Sequence, residues 1–367
     1  MEELLYKIAF ASVRGMTLDL AQKLLEVIPS EKDFFSLSEK ELIHITGSHA
    51  KMCGNAYRRS LLERAEREMD FIRDKHIGLH YFTDDSYPKR MLEAIDAPLL
   101  LYSSGPCNLN DGHMVSIVGT RHATQYGIRV CEDIVKGLNE KLQQVVVISG
   151  LAYGIDIAAH RAALKYNVPT VAVLAQGLNK IYPSTHRNDA VNIVRKGGAI
   201  VTDYQSQDRI YKGNFLARNR IIAAMSDCTI VVESADKGGA LVTASLAQSY
   251  NRDVFAIPGR VGDEFSQGCN RLIGSHRAQA ITGADDIIDA MRWETVNQAT
   301  PVQGTLFPDF SKEEQAVIDT LRNAGEMHIN SLTNILQQPV YKLMSILVEL
   351  DCKGYVITLP GSRYTLR

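Results

Sequence analysis

Val145-Val-Val-Ile148-Ser-Gly150-Leu-Ala-Tyr-Gly154-Ile-Asp156-Ile-Ala-Ala-His160 decides the architecture of this chain. Its first four residues are apolar and β-branched, with no polar alternation. That pattern predicts a short strand covered on both faces, as in a parallel sheet. Two glycines then turn the chain, and the residues from Ile155 onward predict a helix. The same unit recurs on both sides. Val115-Ser-Ile-Val118, Thr170-Val-Ala-Val-Leu174, Ala199-Ile-Val-Thr202, Thr229-Ile-Val-Val232 and Val254-Phe-Ala-Ile257 are short apolar runs with helical segments between them. Six such runs predict an α/β fold with a doubly wound, mostly parallel sheet over residues 78–290.

The flanking regions differ in pattern. Residues 1–75 predict a small all-α module. Leu4, Leu5, Ile8 and Ala9 keep helical spacing, as do Leu20, Leu24, Leu25 and Ile28, and Ser38-Glu-Lys-Glu41 is a capping box. Ile45-Thr-Gly47 has a faint likeness to a helix-hairpin-helix or SAM-like motif, and a plain helical interaction module is the better reading. Residues 294–308 carry no period and predict a linker. Residues 309–367 predict three helices followed by a hairpin, Tyr355–Leu359 and Arg363–Leu366, which is the order of a winged helix.

The chain has 367 residues, 45% hydrophobic and 22% charged, with a net charge of −2. That mix predicts a globular protein and excludes a histone-like or basic-arm class, although a local basic groove is compatible with it. No stretch approaches the ~18 apolar residues of a membrane span. The opening Met1-Glu2-Glu3 has the wrong charge for a signal peptide, and the six cysteines form no Cys-x-x-Cys pair. The expectation is a cytoplasmic, reduced protein.

Parallel sheets bind ligands beyond the carboxyl ends of their strands. Four glycine loops fall there: Gly119-Thr-Arg121, Ser149-Gly150 with Gly154, Lys237-Gly238-Gly239, and Pro258-Gly259-Arg260. Any one of them could be only a tight turn. Several together could hold several phosphates at backbone N–H groups and helix N-termini, which suits a polynucleotide. There is no Gly-x-x-x-x-Gly-Lys-Ser/Thr and no Gly-x-Gly-x-x-Gly after the first strand, so the common nucleotide fingerprints are missing. Residues 209–220 carry Arg209, Lys212, Arg218 and Arg220 and no acid, with Tyr211 and Phe215 interleaved. Guanidinium for phosphate and aromatic faces for bases is the chemistry of a single-strand groove. Asp156 and His160 share a helix face. His160 could orient a loop through Asp156, but a structural hydrogen bond is the expected role, and two ligands do not make a metal site. No nucleophile–base or paired-carboxylate arrangement calls for catalysis.

The same residues carry a resemblance. Ile117-Val-Gly-Thr-Arg121, Ile148–His160, Tyr182-Pro183, Phe215-Leu-Ala-Arg-Asn-Arg-Ile-Ile222, Gly239-Ala-Leu-Val-Thr-Ala244 and Ile257-Pro-Gly259 resemble the DNA-processing protein A (DprA, or Smf) family. Asp84-Asp-Ser-Tyr-Pro88 and Pro98-Leu-Leu-Leu-Tyr102 fit the same pattern, so the resemblance spans about 80–275 in order. One loop departs from it: Lys237-Gly238-Gly239 stands where the family more usually has Ser-Gly-Ser.

The resemblance implies an extended Rossmann-like domain that binds single-stranded DNA without a cofactor or catalysis. It also implies a homodimer that protects incoming DNA in natural transformation and loads the RecA recombinase. The DNA pocket it implies contains Arg121, Ser149, Gly150 and Arg218, with Arg220 and Lys180 close by. Together with the loop and cluster readings, the expected DNA-binding set is Gly119, Arg121, Ser149, Gly150, Gly154, Lys180, Lys212, Phe215, Arg218, Arg220, Lys237, Gly238 and Gly239. The C-terminal module has six basic against seven acidic side chains, so it is not expected to be the main DNA surface. The alternatives are a nucleotide-hydrolysing enzyme of the lysine-decarboxylase-like Rossmann family, whose catalytic Glu has no counterpart between Gly239 and Tyr250, and a nucleotide-sensing winged-helix transcription factor.

Overall fold

A computed structural model describes residues 2–47, 51–296 and 310–367. Most of the predicted linker, 297–308, lies outside the described residues. The chain opens with α1 (Glu2–Ala11), α2 (Leu18–Val27), α3 (Glu31–Ser36), α4 (Glu39–Thr46) and α5 (Asn55–Lys75). Their caps explain their starts: Thr17, Ser30 and Ser38 each accept an N-terminal backbone N–H, and Ser38 with Glu41 completes the capping box. Ile8, Phe10, Phe34 and Leu42 form the buried centre of these helices, with Phe10 edge-on to Phe34 at 5.1 Å. Arg58 is buried beneath them, donating to the carbonyls of Phe34 and Leu37 at 2.7 Å each. From α5, buried Glu68 accepts the N–H and hydroxyl of Ser206, which ties this helical group to the sheet.

The central sheet has nine described strands: β1 (Gly78–Tyr81), β2 (Leu100–Ser104), β3 (His113–Val118), β4 (Val145–Ser149), β5 (Thr170–Val173), β6 (Ala199–Thr202), β7 (Cys228–Val231), β8 (Asp253–Ala256) and β9 (Gln279–Ala280). Their order is β1-β2-β6-β5-β4-β3-β7-β8-β9. All six predicted runs are strands and pair in parallel, with Val115 opposite Val147 and Val147 opposite Thr170. The sequence reading missed β1, β2 and β9. The first two extend the sheet antiparallel beyond β6, and β9 is two residues long.

The intervening helices are α6 (Gln125–Lys141), α7 (Ile155–Lys165), α8 (Arg187–Arg195), α9 (Lys212–Ala224), α10 (Gly239–Ser249), α11 (Gln267–Gly274) and α12 (Ala284–Met291). Val115, Ile117, Val145 and Val147 face α6, α7 and α12. Met114, Val146, Ile148, Val171 and Val173 face the other side, which α9 and α10 cover. β3 and β7 run parallel, and the strand order changes side between them, with β4, β5 and β6 added on one side of β3 and β7, β8 and β9 on the other. The sheet therefore has its switch point there, with a crevice at the carboxyl ends of those two strands.

The last 58 residues contain α13 (Lys312–Ala324), β10 (Met327–His328), α14 (Ile329–Leu336), α15 (Val340–Cys352), β11 (Val356–Leu359) and β12 (Arg363–Leu366). The predicted helices and hairpin are present, and β10 joins the hairpin to give the order β10-β12-β11. This part has its own core around Ile318, Leu321, Leu332, Leu343 and Leu347. It docks on the amino-terminal side of the sheet. Arg363 pairs with Glu93 at 2.6 Å, Glu93 also pairs with Arg252 at 2.7 Å, and Arg292 donates to the carbonyl of Thr358 at 2.6 Å. Arg252 immediately precedes β8, so this contact lies at the opposite edge from the glycine loops.

Candidate nucleic-acid interface

The loops after β3, β4 and β7 close on one another. The N–H of Thr120 donates to the carbonyl of Glu233 at 2.7 Å, and the N–H of Ile155 donates to the carbonyl of Thr120 at 3.1 Å. The glycines permit this closeness. A Cβ at Gly119 would lie 2.5 Å from Ile155, and one at Gly154 would lie 2.1 Å from the carbonyl oxygen of Thr120, at a φ of +79°. Gly119 and Gly154 therefore serve the close packing of these loops. Gly154→Ala is expected to cost about 1–3 kcal/mol or more from the left-handed backbone alone, read as a lower melting temperature.

The N-terminus of α6 is already occupied by an anion. Thr124 caps it, and buried Glu233 accepts the N–H of Thr124 at 2.9 Å and its hydroxyl at 2.5 Å. Gly127 leaves the space, since a Cβ there would meet the Glu233 carboxylate at 2.3 Å. The first loop therefore holds a carboxylate where a phosphate would sit. The sequence reading missed Glu233. Its only signal is an acid ending an apolar run. The starts of α7, α9 and α10 have no side-chain cap, and Gly239 at the start of α10 is exposed with open space around its Cα.

Two expected contacts point inward. Ser149 is fully buried and donates its hydroxyl to the carbonyl of Ile117 at 2.6 Å. Arg218 is only 3% exposed. It donates to the carbonyl of Gly150 at 2.5 Å and to that of Val173, while Gly150 leaves the room its guanidinium needs. Burial presses the Arg218 pKa down, and the nearby Asp156 carboxylate opposes that; for Asp156 the effects are mirrored, burial raising its pKa and Arg218 opposing. Ser149, Gly150 and Arg218 thus form the base under the β4 loop, not its surface.

Arg220 is engaged as well, pairing with Asp203 and donating to the carbonyl of Asp96. His160 makes the expected structural hydrogen bond, with Thr170 as its partner. Its Nδ1 lies 2.7 Å from the hydroxyl of Thr170, and burial, helped by Arg218, holds its pKa down at about 3, so the ring is neutral. Among the described residues, no group of three His, Cys, Asp or Glu side chains is arranged to hold a metal ion. No described helix is long and apolar enough to cross a membrane.

What remains at the surface is compact. The Arg121 guanidinium lies 5.7 Å from the centroid of the Phe215 ring, and the Tyr182 ring is 5.5 Å from Phe215 at an interplanar angle of 60°. Arg121, Tyr182, Lys180 and Lys212 are exposed, and Phe215 is half-buried. Lys180 precedes Tyr182 by two residues, and Lys212 begins the helix that carries Phe215. The loop after β3, the segment after β5 and the start of α9 thus meet in one patch of cations and rings. Lys237, Gly238 and Gly239 belong to the segment between β7 and the start of α10, and the carbonyl of Gly239 accepts from Asn219 of α9 at 3.4 Å. Tyr211, one of the two interleaved rings of the 209–220 cluster, is exposed, and so is Tyr153, which the sequence reading did not single out.

Residues 78–292 match the DNA recombination-mediator protein A family. The chain belongs to that family. It is 32% identical over 297 residues to Protein Smf of Escherichia coli, a match covering 78% of each chain. The X-ray structure of DNA processing protein A from Streptococcus pneumoniae superposes with a TM-score of 0.66 at 29% identity, covering 79% of this chain and 97% of that one. The DNA processing protein A structure from Helicobacter pylori, described for its single-stranded DNA binding mode, superposes at 0.52 with 30% identity, covering 59% of this chain and 96% of that one. Family membership gives the exposed patch its context: this is a mediator fold, and Arg121, Tyr182 and Phe215 fall within the matched residues.

Proposed function

We propose that this chain binds single-stranded DNA across the carboxyl edge of its sheet, protects it and delivers it to the RecA recombinase as a homodimer in the cytoplasm, without catalysis. The observation that carries this reading is the Arg121 guanidinium set on the Phe215 ring beside Tyr182, with exposed Lys180 and Lys212 two and three residues from those rings in the sequence. Rings stack on bases of any sequence and cations follow the backbone, which is how sequence-tolerant single-strand grooves work. Lys237, Gly238 and Gly239 would extend the path across the switch point to the uncapped start of α10. Arg218, Ser149, Gly150, Gly119 and Gly154 act in this reading by shaping the loops. Titrating labelled oligo-dT and a matched duplex at two salt concentrations is the test: oligo-dT is expected to bind at least tenfold tighter, with a marked salt slope, and equal affinity for the two would overturn the reading.

In this reading residues 1–75, 78–290 and 309–367 are separate modules, the last a winged helix. Deleting 309–367 is expected to leave oligo-dT affinity within about threefold, because that module is near neutral and docks at the far edge through Arg363 and Glu93. Loss of nearly all binding by the folded remainder would make the module the main DNA surface. In this reading the homodimer forms through the segment after Gly239, and the exposure of Val242 on α10 supports that choice. Two linked grooves turn the second contact into an intramolecular one and raise avidity. Sedimentation at micromolar concentration is expected to give a mass near twice that of the chain.

A further inference from the structure

Beside the strand path is a cavity of about 640 Å³, at the same carboxyl edge, between the N-terminal helices and the loop after β6. Tyr211, 66% exposed, and the half-buried Tyr204 give it aromatic walls. Asn214 is fully buried in the first turn of α9. Its Nδ2 donates to the carbonyls of Ala175 at 3.1 Å and Arg209 at 3.2 Å, which fixes the amide and leaves Oδ1 buried with no hydrogen-bond partner. Asp203 is similar: one carboxylate oxygen accepts from Arg220, while Oδ1 is buried without a partner. Buried polar atoms in folded proteins are nearly always paired, so two orphaned acceptors on residues that line one cavity call for a ligand that donates.

The charges around the cavity narrow the class. Asp96, Asp203 and Asp208 balance Arg64, Arg209 and Arg220, so nothing in the lining favours a phosphate. A flat, neutral molecule with N–H donors fits tyrosine walls and free acceptors: a nucleobase. Its position agrees, since Tyr211 directly precedes Lys212 and lies four residues before Phe215. A base turned off the strand at Phe215 enters the cavity while its phosphates stay on the basic path.

We propose that this cavity is a nucleobase pocket in which Asn214 and Asp203 accept from the base's N–H groups and Tyr211 covers its face. The proposal rests on the strand path given above for the source of the base, and a free nucleoside shares the same chemistry. Guanine, with a ring N–H and an amino group on one edge, fits two acceptors best, and thymine, with one N–H, fits worst.

The full-length chain is titrated with oligo-dT in which one central dT is replaced by dG, dA or dC, and separately with guanosine and thymidine. The dG oligomer is expected to bind about tenfold tighter than oligo-dT, and the preference should fall below twofold in both Asn214→Ala and Tyr211→Ala. Tyr211→Ala changes an exposed side chain and keeps the test open should Asn214→Ala fail to fold. Equal wild-type affinity for all four oligomers with no guanosine binding would overturn the pocket while leaving the strand reading intact, as would a preference unaltered in Tyr211→Ala. Guanosine binding without any oligo-dT binding would keep the pocket as a nucleoside site and remove the strand reading.

Discussion

Arg218→Ala is expected to destabilise the fold by about 3–5 kcal/mol, the cost of breaking a buried charge arrangement by removing one partner. Against a total of about 5–15 kcal/mol for an ordinary domain, that loss leaves little margin. The substitution removes the donor to the carbonyls of Gly150 and Val173 and leaves the buried Asp156 without its counter-charge. Arg218→Lys rescues only part of the loss, since a single ammonium does not reproduce the planar fork. The pH dependence has a definite sign. In the variant, Asp156 titrates above its unfolded value, so its neutral form is the stable one. Its unfavourable charge is absent at low pH and develops as the pH rises through the folded value. Thermal melts should therefore show a smaller deficit at pH 5 than at pH 8, and a deficit that grows on acidification would contradict the role given to Asp156. DNA binding falls only as far as the loops lose their shape.

Arg121→Ala is the opposite case, with a large effect on binding and little on stability. Arg121 is exposed and rests on Phe215, so its loss leaves the core untouched. Single-strand affinity is expected to fall about tenfold or more, and the slope of log affinity against log salt to shrink by about 0.7, the value for one phosphate on a single strand. Phe215→Ala should cost about 1–3 kcal/mol of binding through lost stacking, with the slope nearly unchanged. Measuring both variants at two salt concentrations separates the cation from the ring. Unchanged affinity and slope in a folded Arg121→Ala would remove Arg121 from the interface.

The sheet was legible in the sequence because burial on both faces leaves runs such as Val145–Ile148, which the intervening helices separate cleanly. The strands β1 and β2 were not, since short segments between prolines and turns, paired at an edge, carry no distinct period. The cluster at 209–220 shows how a basic stretch misleads. Composition counts Arg218 with Lys212, yet Arg218 shares the helix face of Asn214, Ile221 and Ile222, spaced four, three and four residues away, and all four are buried. That spacing was the available signal that one guanidinium points inward. The glycines do gather at one edge, and Gly119 and Gly154 there make room for a neighbouring loop, a service that a sequence does not reveal.

The Glu93 carboxylate, held between Arg252 and Arg363, sets a difference between the two ends of the molecule. These side chains are largely out of solvent, 13% exposed for Glu93 and 2% and 17% for its partners, and ions screen such pairs weakly. The cations on the far edge face water, and any strand they hold is released by added salt. Ionic strength thus works on one end only: a brine that strips the nucleic acid leaves the terminal module clamped.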